Sequence, residues 1–259
     1  VTRDICISLC GPLVGYLLPI ALHGLETFDK VSPSEIHLVD EDCSAPVRQY
    51  LQSLRLKGYN VHSYKSPARF KPEGAPDLGA DLEYERDRVW LNIDTQQWMI
   101  DHCGTAEWAF LMHFDIEFKA PWLGYLCSMV DDSTAQVGAH NCGLVGYRRT
   151  ALKQAHVGID SIASTYLVKN HYGRWKVRHK SDPRCVDTSI EIEGWDTNEL
   201  LEVNLQHLGW KVKVETDVES NKWRVHNGSG SGRCGEPSVS MIVSRAVSDL
   251  KRLGLSPVL

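Results

Sequence analysis

An α/β fold with a mainly parallel central sheet flanked by helices is what this 259-residue sequence predicts. Three observations carry that expectation. Short apolar runs that read as buried strands alternate with stretches whose apolar residues recur at helical spacing. Turn residues separate the two kinds of segment. The alternation repeats as far as Phe114, which is the pattern of right-handed βαβ units. Composition agrees, because 42% apolar and 24% charged residues exclude collagen-like, coiled-coil and disordered classes. A chain of this length buries a full core without a disulfide or metal staple.

The elements follow in order. Ile5 to Cys10 reads as a buried strand, and Gly11-Pro12 as a turn with Pro at the first helical position. From Leu13 the residues Val14, Leu17, Leu18, Ala21, Leu22, Leu25 and Phe28 keep helical spacing, and Pro19 is expected to kink that helix. The apolar run from Ile5 to Leu22 behind Arg3 also has the look of a secretory signal or membrane anchor. Ser8, Gly11, Pro12, Gly15 and Pro19 within it favour strand-then-helix. Glu35 to Asp40 is a strand ending in acids, Ser44 caps a helix through Lys57, and Gly58 stops it. Asn60 to Tyr64 alternates like a strand, and residues 66–88, with Pro67, Pro72, Gly74, Pro76 and Gly79, read as a long loop.

A helix at Asp94 to Cys103 precedes the strand Trp108 to Phe114, and Asn141 to Tyr147 forms another strand. Residues 155–194 match no element. A helix at Thr197 to Leu208 ends at Gly209, with strands at Trp210 to Val214 and Trp223 to Val225. Ser238 to Leu253 is amphipathic, with Val239, Ile242, Val243, Ala246, Val247 and Leu250 on one face.

Charge and cysteine usage bound the partners and compartment. Against 33 acidic residues stand 28 basic ones, for a net charge of -5, and no Lys/Arg cluster exceeds two residues. That argues against nucleic acid as the partner. The eight cysteines contain no Cys-x-x-Cys pair and read as reduced core residues, which fits a cytoplasmic location. Their spacing lacks the signature of a structural zinc site.

Three clusters offer chemistry. In His113-Phe114-Asp115-Ile116-Glu117-Phe118, two carboxylates one residue apart close an apolar strand. Asp115 and Glu117 can hold a divalent cation through hard oxygen ligands, or can simply end a strand in solvent. In His226-Asn227-Gly228-Ser229-Gly230-Ser231-Gly232-Arg233, glycines allow backbone N–H groups close to an anion. Arg233 can clamp a pyrophosphate and His226 can ligate metal, while the plainer reading is a surface loop. In Trp195-Asp196-Thr197-Asn198-Glu199, Asp196 either caps the next helix or serves as a general base. No Walker-type or GxGxxG motif occurs.

In this order the pieces resemble a nucleotide-sugar-dependent glycosyltransferase of the GT-A fold, family-2-like, over residues 4–233. Ser8-Leu9-Cys10-Gly11-Pro12 resembles the family's first nucleotide-contacting strand, so the resemblance implies donor contacts for Leu9, Cys10 and Gly11. His37-Leu38-Val39-Asp40 resembles its second strand, whose terminal acid binds base or ribose, here Asp40. Asp115-Ile116-Glu117 resembles the Asp-x-Asp motif, with Glu in place of the usual final Asp; Asp115 is then a ribose or metal contact and Glu117 a metal ligand. Val225-His226 resembles the late strand whose histidine completes a metal site. The acid-led helix after Trp195 implies Asp196 as base, with Glu199 left open.

The expectation is a single domain, residues 1–118 holding the donor, 119–235 the acceptor and 236–259 a terminal helix. Its reaction moves a sugar from a nucleotide diphosphate-sugar donor to a hydroxyl-bearing acceptor with Mn²⁺ or Mg²⁺. A non-catalytic nucleotide-sugar or carbohydrate binding module on the same scaffold is the alternative. No transmembrane segment is expected, and a homo-oligomer is compatible with the sequence. A sugar nucleotidyltransferase is disfavoured, since no early Gly-rich, Arg-containing phosphate loop is present.

Overall fold

The computed structural model describes residues 1–65, 95–139, 142–155, 165–169, 175–179, 191–193, 198–227 and 238–258. The strands are β1 (Arg3–Leu9), β2 (Ile36–Asp40), β3 (Asn60–Ser63), β4 (Trp108–His113), β5 (Ile116–Phe118), β6 (Thr134–Ala139) and β7 (Leu144–Arg148), followed by β8 (Thr165–Lys169), β9 (Trp175–His179), β10 (Glu191–Glu193), β11 (Lys211–Lys213) and β12 (Arg224–His226). Seven of them form the central sheet in the order β11-β6-β7-β4-β1-β2-β3. β1 runs parallel to β2 and β4, β2 to β3, and β11 to β6, whereas β7 is antiparallel to β4 and β6. β5 and β12 make a separate antiparallel pair, and β8 to β10 an antiparallel three-stranded sheet.

Alternate residues of the central strands feed a core on each face. Ile5, Ile7, Leu9, Ile36, Leu38, Trp108, Phe110 and Met112 pack with α1 (Val14–Phe28), α2 (Ala45–Leu56) and the last helix (Val239–Leu253). Cys6, Val39, Ala109, Leu111, Val145 and Tyr147 pack with the helical stretch 95–102 and the helices Arg149–Ala155 and Asn198–His207. Burial on both faces is why these strands are nearly continuous apolar runs rather than alternating ones. Each fully buried Leu or Ile contributes about 1.5–3 kcal/mol relative to exposure.

The early strand-then-helix reading agrees with the structure, and α1 contains Pro19 in its interior. β2 starts one residue later than expected because Pro33–Glu35 forms a 3₁₀ turn with a Ser32–Glu35 capping box. Several described elements have no counterpart in the sequence reading, among them the helices Trp122–Ser128, Arg149–Ala155 and Asp217–Ser220 and the strand β6. β7 departs from the parallel pattern because only residues 140–143 separate it from β6, too few for a crossover. The last helix is capped by the Ser238 hydroxyl, which accepts from the Met241 N–H. Its buried face is narrower than expected: Ile242, Ala246 and Leu250 are covered, while Val239 and Val247 are 52% and 42% exposed. The expected loop at 66–88 lies outside the described residues. No helix among the described residues is long and apolar enough to cross a membrane.

Candidate active site

β1 lies between β2 and β4, so the chain leaves it first toward β2 and β3 and later crosses to β4 on its other side. This is a topological switch point, and its carboxyl end is where open α/β sheets bind ligands. Leu9, Asp40 and His113 end the three strands there. Gly11, at φ +86°, occupies the left-handed region that lets the chain turn directly out of β1. Asp40 is 9% exposed, and its Oδ1 accepts from the Cys43 N–H at 2.7 Å, which orients the carboxylate at the strand end. The Cys43 thiol donates to the Leu9 carbonyl at 3.2 Å, and burial, followed by the neighbouring Asp40, pushes it up to about 12.

Beside this end a three-residue group converges. His113 ends β4, Asp115 stands in the turn before β5, and His226 ends β12. Pairing of Ile116 with His226 across the β5–β12 ladder, and donation from the Asn227 N–H to the Asp115 carbonyl at 3.0 Å, bring the late strand to the acid. Asp115 Oδ1 lies 3.4 Å from His226 Nε2 and 4.0 Å from His113 Nδ1, and those two nitrogens are 3.4 Å apart. Asp115 is 2% exposed, and its Oδ2 is buried without a hydrogen-bond partner among the described residues.

The electrostatics favour the ligating forms. Burial pushes the Asp115 carboxyl upward, but the His226 hydrogen bond and the charges of His226 and His113 outweigh it and hold the group below its usual range. Burial lowers His113 to about 4, with His226 and Arg224 adding to the effect and Asp115 opposing it. Near neutral pH the site therefore presents a carboxylate beside a neutral imidazole. The three donor atoms lie 3.4 to 4.0 Å apart, separations that a pair of metal–ligand bonds of about 2.0–2.2 Å each can span. The donor set and the orphaned Oδ2 fit a divalent cation.

Asp115 and His226, both singled out in the sequence, are thus together. Glu117 is not in that group: its carboxylate pairs with Arg252 at 3.2 Å and Arg245 at 3.7 Å on the last helix. The turn at Phe114 and Asp115 breaks the two-residue alternation that would place Asp115 and Glu117 on one face. His113, two residues before Asp115, takes the place that the sequence reading gave to Glu117. The same spacing signal was present there, but with a nitrogen ligand in place of an oxygen one. Glu199 lies on the helix Asn198–His207. Asp196, Arg233 and the glycine-rich run from Gly228 onward lie outside the described residues.

Another buried acid escaped the sequence reading. Glu215 is 5% exposed, its Oε2 accepts from the Trp122 indole N–H at 2.8 Å, and its Oε1 has no partner among the described residues. Burial raises its pKa above 4.5, with the Trp122 bond opposing. A raised native pKa means that the stabilising contribution is present below 4.5 and lost as pH rises through the native value. Glu215→Gln should therefore lose less stability than wild type between pH 4.5 and pH 7, as read by urea midpoints. An equal loss in both proteins would show that the buried charge is not felt.

No protein-family model matches the sequence, and no curated protein matches it. Several solved structures are similar to it in part. It is similar to the mannosyltransferase PcManGT from Pyrobaculum calidifontis, solved with GDP-Man and Mn²⁺, at 11% identity and a TM-score of 0.47. That match covers 84% of this chain and 55% of the mannosyltransferase, so the chain spans little more than half of that protein's length. The galactosyltransferase LgtC, in complex with donor and acceptor sugar analogs, is similar at 12% identity, with a TM-score of 0.41 and coverage of 95% of this chain and 96% of LgtC. Mouse xyloside xylosyltransferase 1 is similar at 12% identity and a TM-score of 0.39, covering 62% of this chain and 71% of that one. These proteins are GT-A glycosyltransferases, and each is similar to this chain at 11–12% identity and a TM-score below 0.5.

Proposed function

We propose that this chain is a metal-dependent glycosyltransferase that moves a sugar from a nucleotide diphosphate-sugar donor to a hydroxyl-bearing acceptor. The observation that carries the reading is the convergence of His113, Asp115 and His226 beside the switch point of the sheet, with a buried, orphaned Asp115 oxygen among them. Two imidazoles and one carboxylate suit Mn²⁺ better than Mg²⁺, which prefers all-oxygen sites. Such an ion, when bound, offsets the charge that gathers on the diphosphate as it leaves. Asp115, His113 and His226 hold it, and Asp40 hydrogen-bonds the base or ribose from the end of β2. Leu9, Cys10 and Gly11 line the donor's path at the end of β1, and Arg233 clamps the pyrophosphate. Asp196 takes the proton of the acceptor hydroxyl as that oxygen attacks, with Glu199 as the second candidate for the same role.

The test is release of nucleoside diphosphate from a panel of nucleotide sugars. Release should stop in EDTA and return with Mn²⁺. Binding of the sugars without any release, over a full acceptor screen, would instead mark a non-catalytic binding module.

The Asp40 role has its own readout. Asp40→Ala should weaken free nucleoside diphosphate and sugar donor alike, by about 1.5–3 kcal/mol for the loss of a charged hydrogen bond. Unchanged calorimetric affinity would place the nucleotide elsewhere.

A further inference from the structure

A second cluster lies on the sheet face beneath the helical stretch 95–102. Its members are His37 on β2, His62 on β3 and Cys103, just beyond that helical stretch. His37 stands beside Cys6 in register and His62 beside Val39, and Cys6, Val39 and Cys103 belong to the same core, so all of them share one face. His37 Nδ1 lies 3.0 Å from His62 Nε2. One nitrogen from each ring and the Cys103 sulfur fall within 4.8 Å of one another. His37 and Cys103 are buried, at 6% and 0% exposure, and His62 is half-buried.

We infer that His37, His62 and Cys103 form a second metal site, taking a thiophilic divalent ion such as Zn²⁺.

The groups behind the cluster are arranged as a metal-binding imidazole requires. A ligating histidine ordinarily donates its other ring N–H to a carboxylate, which fixes the tautomer. His37 Nε2 faces Asp4 Oδ1 at 3.5 Å, so the ring keeps its proton on Nε2 and turns the Nδ1 lone pair toward His62. Asp4 is itself held: its Oδ2 accepts from Arg149 Nη2 at 3.1 Å and from the Ala106 N–H at 2.8 Å. Arg149 also donates to the Cys103 carbonyl at 2.6 Å, tying the cysteine to the same anchor. Gly104, at φ +80°, is the residue that permits this packing, because a Cβ there would sit 2.2 Å from the Asp4 carboxyl. Without metal, two imidazole nitrogens 3.0 Å apart share one proton between them. On binding, that proton moves to His62 Nδ1, and the Cys103 thiol releases its own to solvent. Both rings then present lone pairs and the sulfur a thiolate. Two nitrogens and a sulfur, with a fourth position left for water or another donor, match the ligand types of zinc.

Burial lowers both His37 and His62 from 6.5, in line with neutral rings. The sequence could not show this site, because its ligands are far apart along the chain.

Co²⁺ distinguishes this site from the candidate active site, since only Cys103 supplies a thiolate. The full chain, kept reduced, should give a thiolate-to-cobalt charge-transfer band and tetrahedral visible absorption, and added Zn²⁺ should bleach both. Cys103→Ser should abolish the charge-transfer band, and His62→Gln should weaken Co²⁺ binding by more than the roughly 10–100-fold typical of losing an outer-shell partner. Asp115→Asn should leave the band intact. Circular dichroism identifies any variant that fails to fold, and His62, half-exposed, is the substitution least disruptive to the core. Absence of the band in wild type, or its persistence in folded Cys103→Ser, would overturn the proposal. The result is independent of sugar transfer, so failure here leaves the proposed function standing.

Discussion

Asp115→Asn is expected to lower kcat for sugar transfer by about 10²–10³-fold or more, the scale of losing one preorganised charge-stabilising group. The substitution keeps the shape of a side chain only 2% exposed and removes its charge from between two imidazoles. The fold should survive, and Mn²⁺ affinity, measured by calorimetry, should fall along with turnover. Glu117→Gln is the contrasting variant. Its carboxylate faces Arg245 and Arg252, which are themselves 52% and 58% exposed. It should keep turnover within a few-fold and lose at most about 1 kcal/mol of stability, the usual worth of a solvent-screened pair. The reverse pattern, an active Asp115→Asn and a dead Glu117→Gln, would return the metal to the Asp115-x-Glu117 pair.

Asp196→Asn should lower kcat by about 10²–10⁴-fold while donor affinity stays unchanged, the signature of a lost general base. Asn caps a helix about as well as Asp, so the variant separates proton transfer from capping. If Asp196 is only a cap, Asp196→Asn will be stable and active, and Asp196→Ala will cost about 1 kcal/mol with near-normal turnover. In that event Glu199→Gln is the next variant, and loss of turnover there would move the base three residues onward. Pre-steady-state release of nucleoside diphosphate would show whether chemistry, rather than product release, has slowed.

The parallel strands were legible before any tertiary information. Ile5 to Leu9, Ile36 to Asp40 and Trp108 to His113 are buried on both faces, and double-sided burial writes itself into a sequence as an unbroken apolar run. The helix stops at Gly58 and Gly209 were equally local, because a left-handed residue after a helix is usually glycine. β6 was less legible: it contains Thr134, Gln136 and Gly138, polar or small residues that its neighbours bury completely. The buried Gln136 amide donates to Glu202, a partner 66 residues along the chain.

The sequence by itself determined the α/β class, the strand ends rich in acids, and Asp115 and His226 as groups capable of chemistry. These follow from periodicity and residue type, which act over a few neighbouring positions. Only the tertiary structure decided which of those groups meet. It set His113 rather than Glu117 beside Asp115, turned Glu117 to the last helix, and brought His37, His62 and Cys103 together. Ligands and ion pairs act across a few ångströms of space, and the distance that separates residues along the chain has no fixed relation to that. A turn of two residues at Phe114 and Asp115 was enough to exchange one candidate ligand for another.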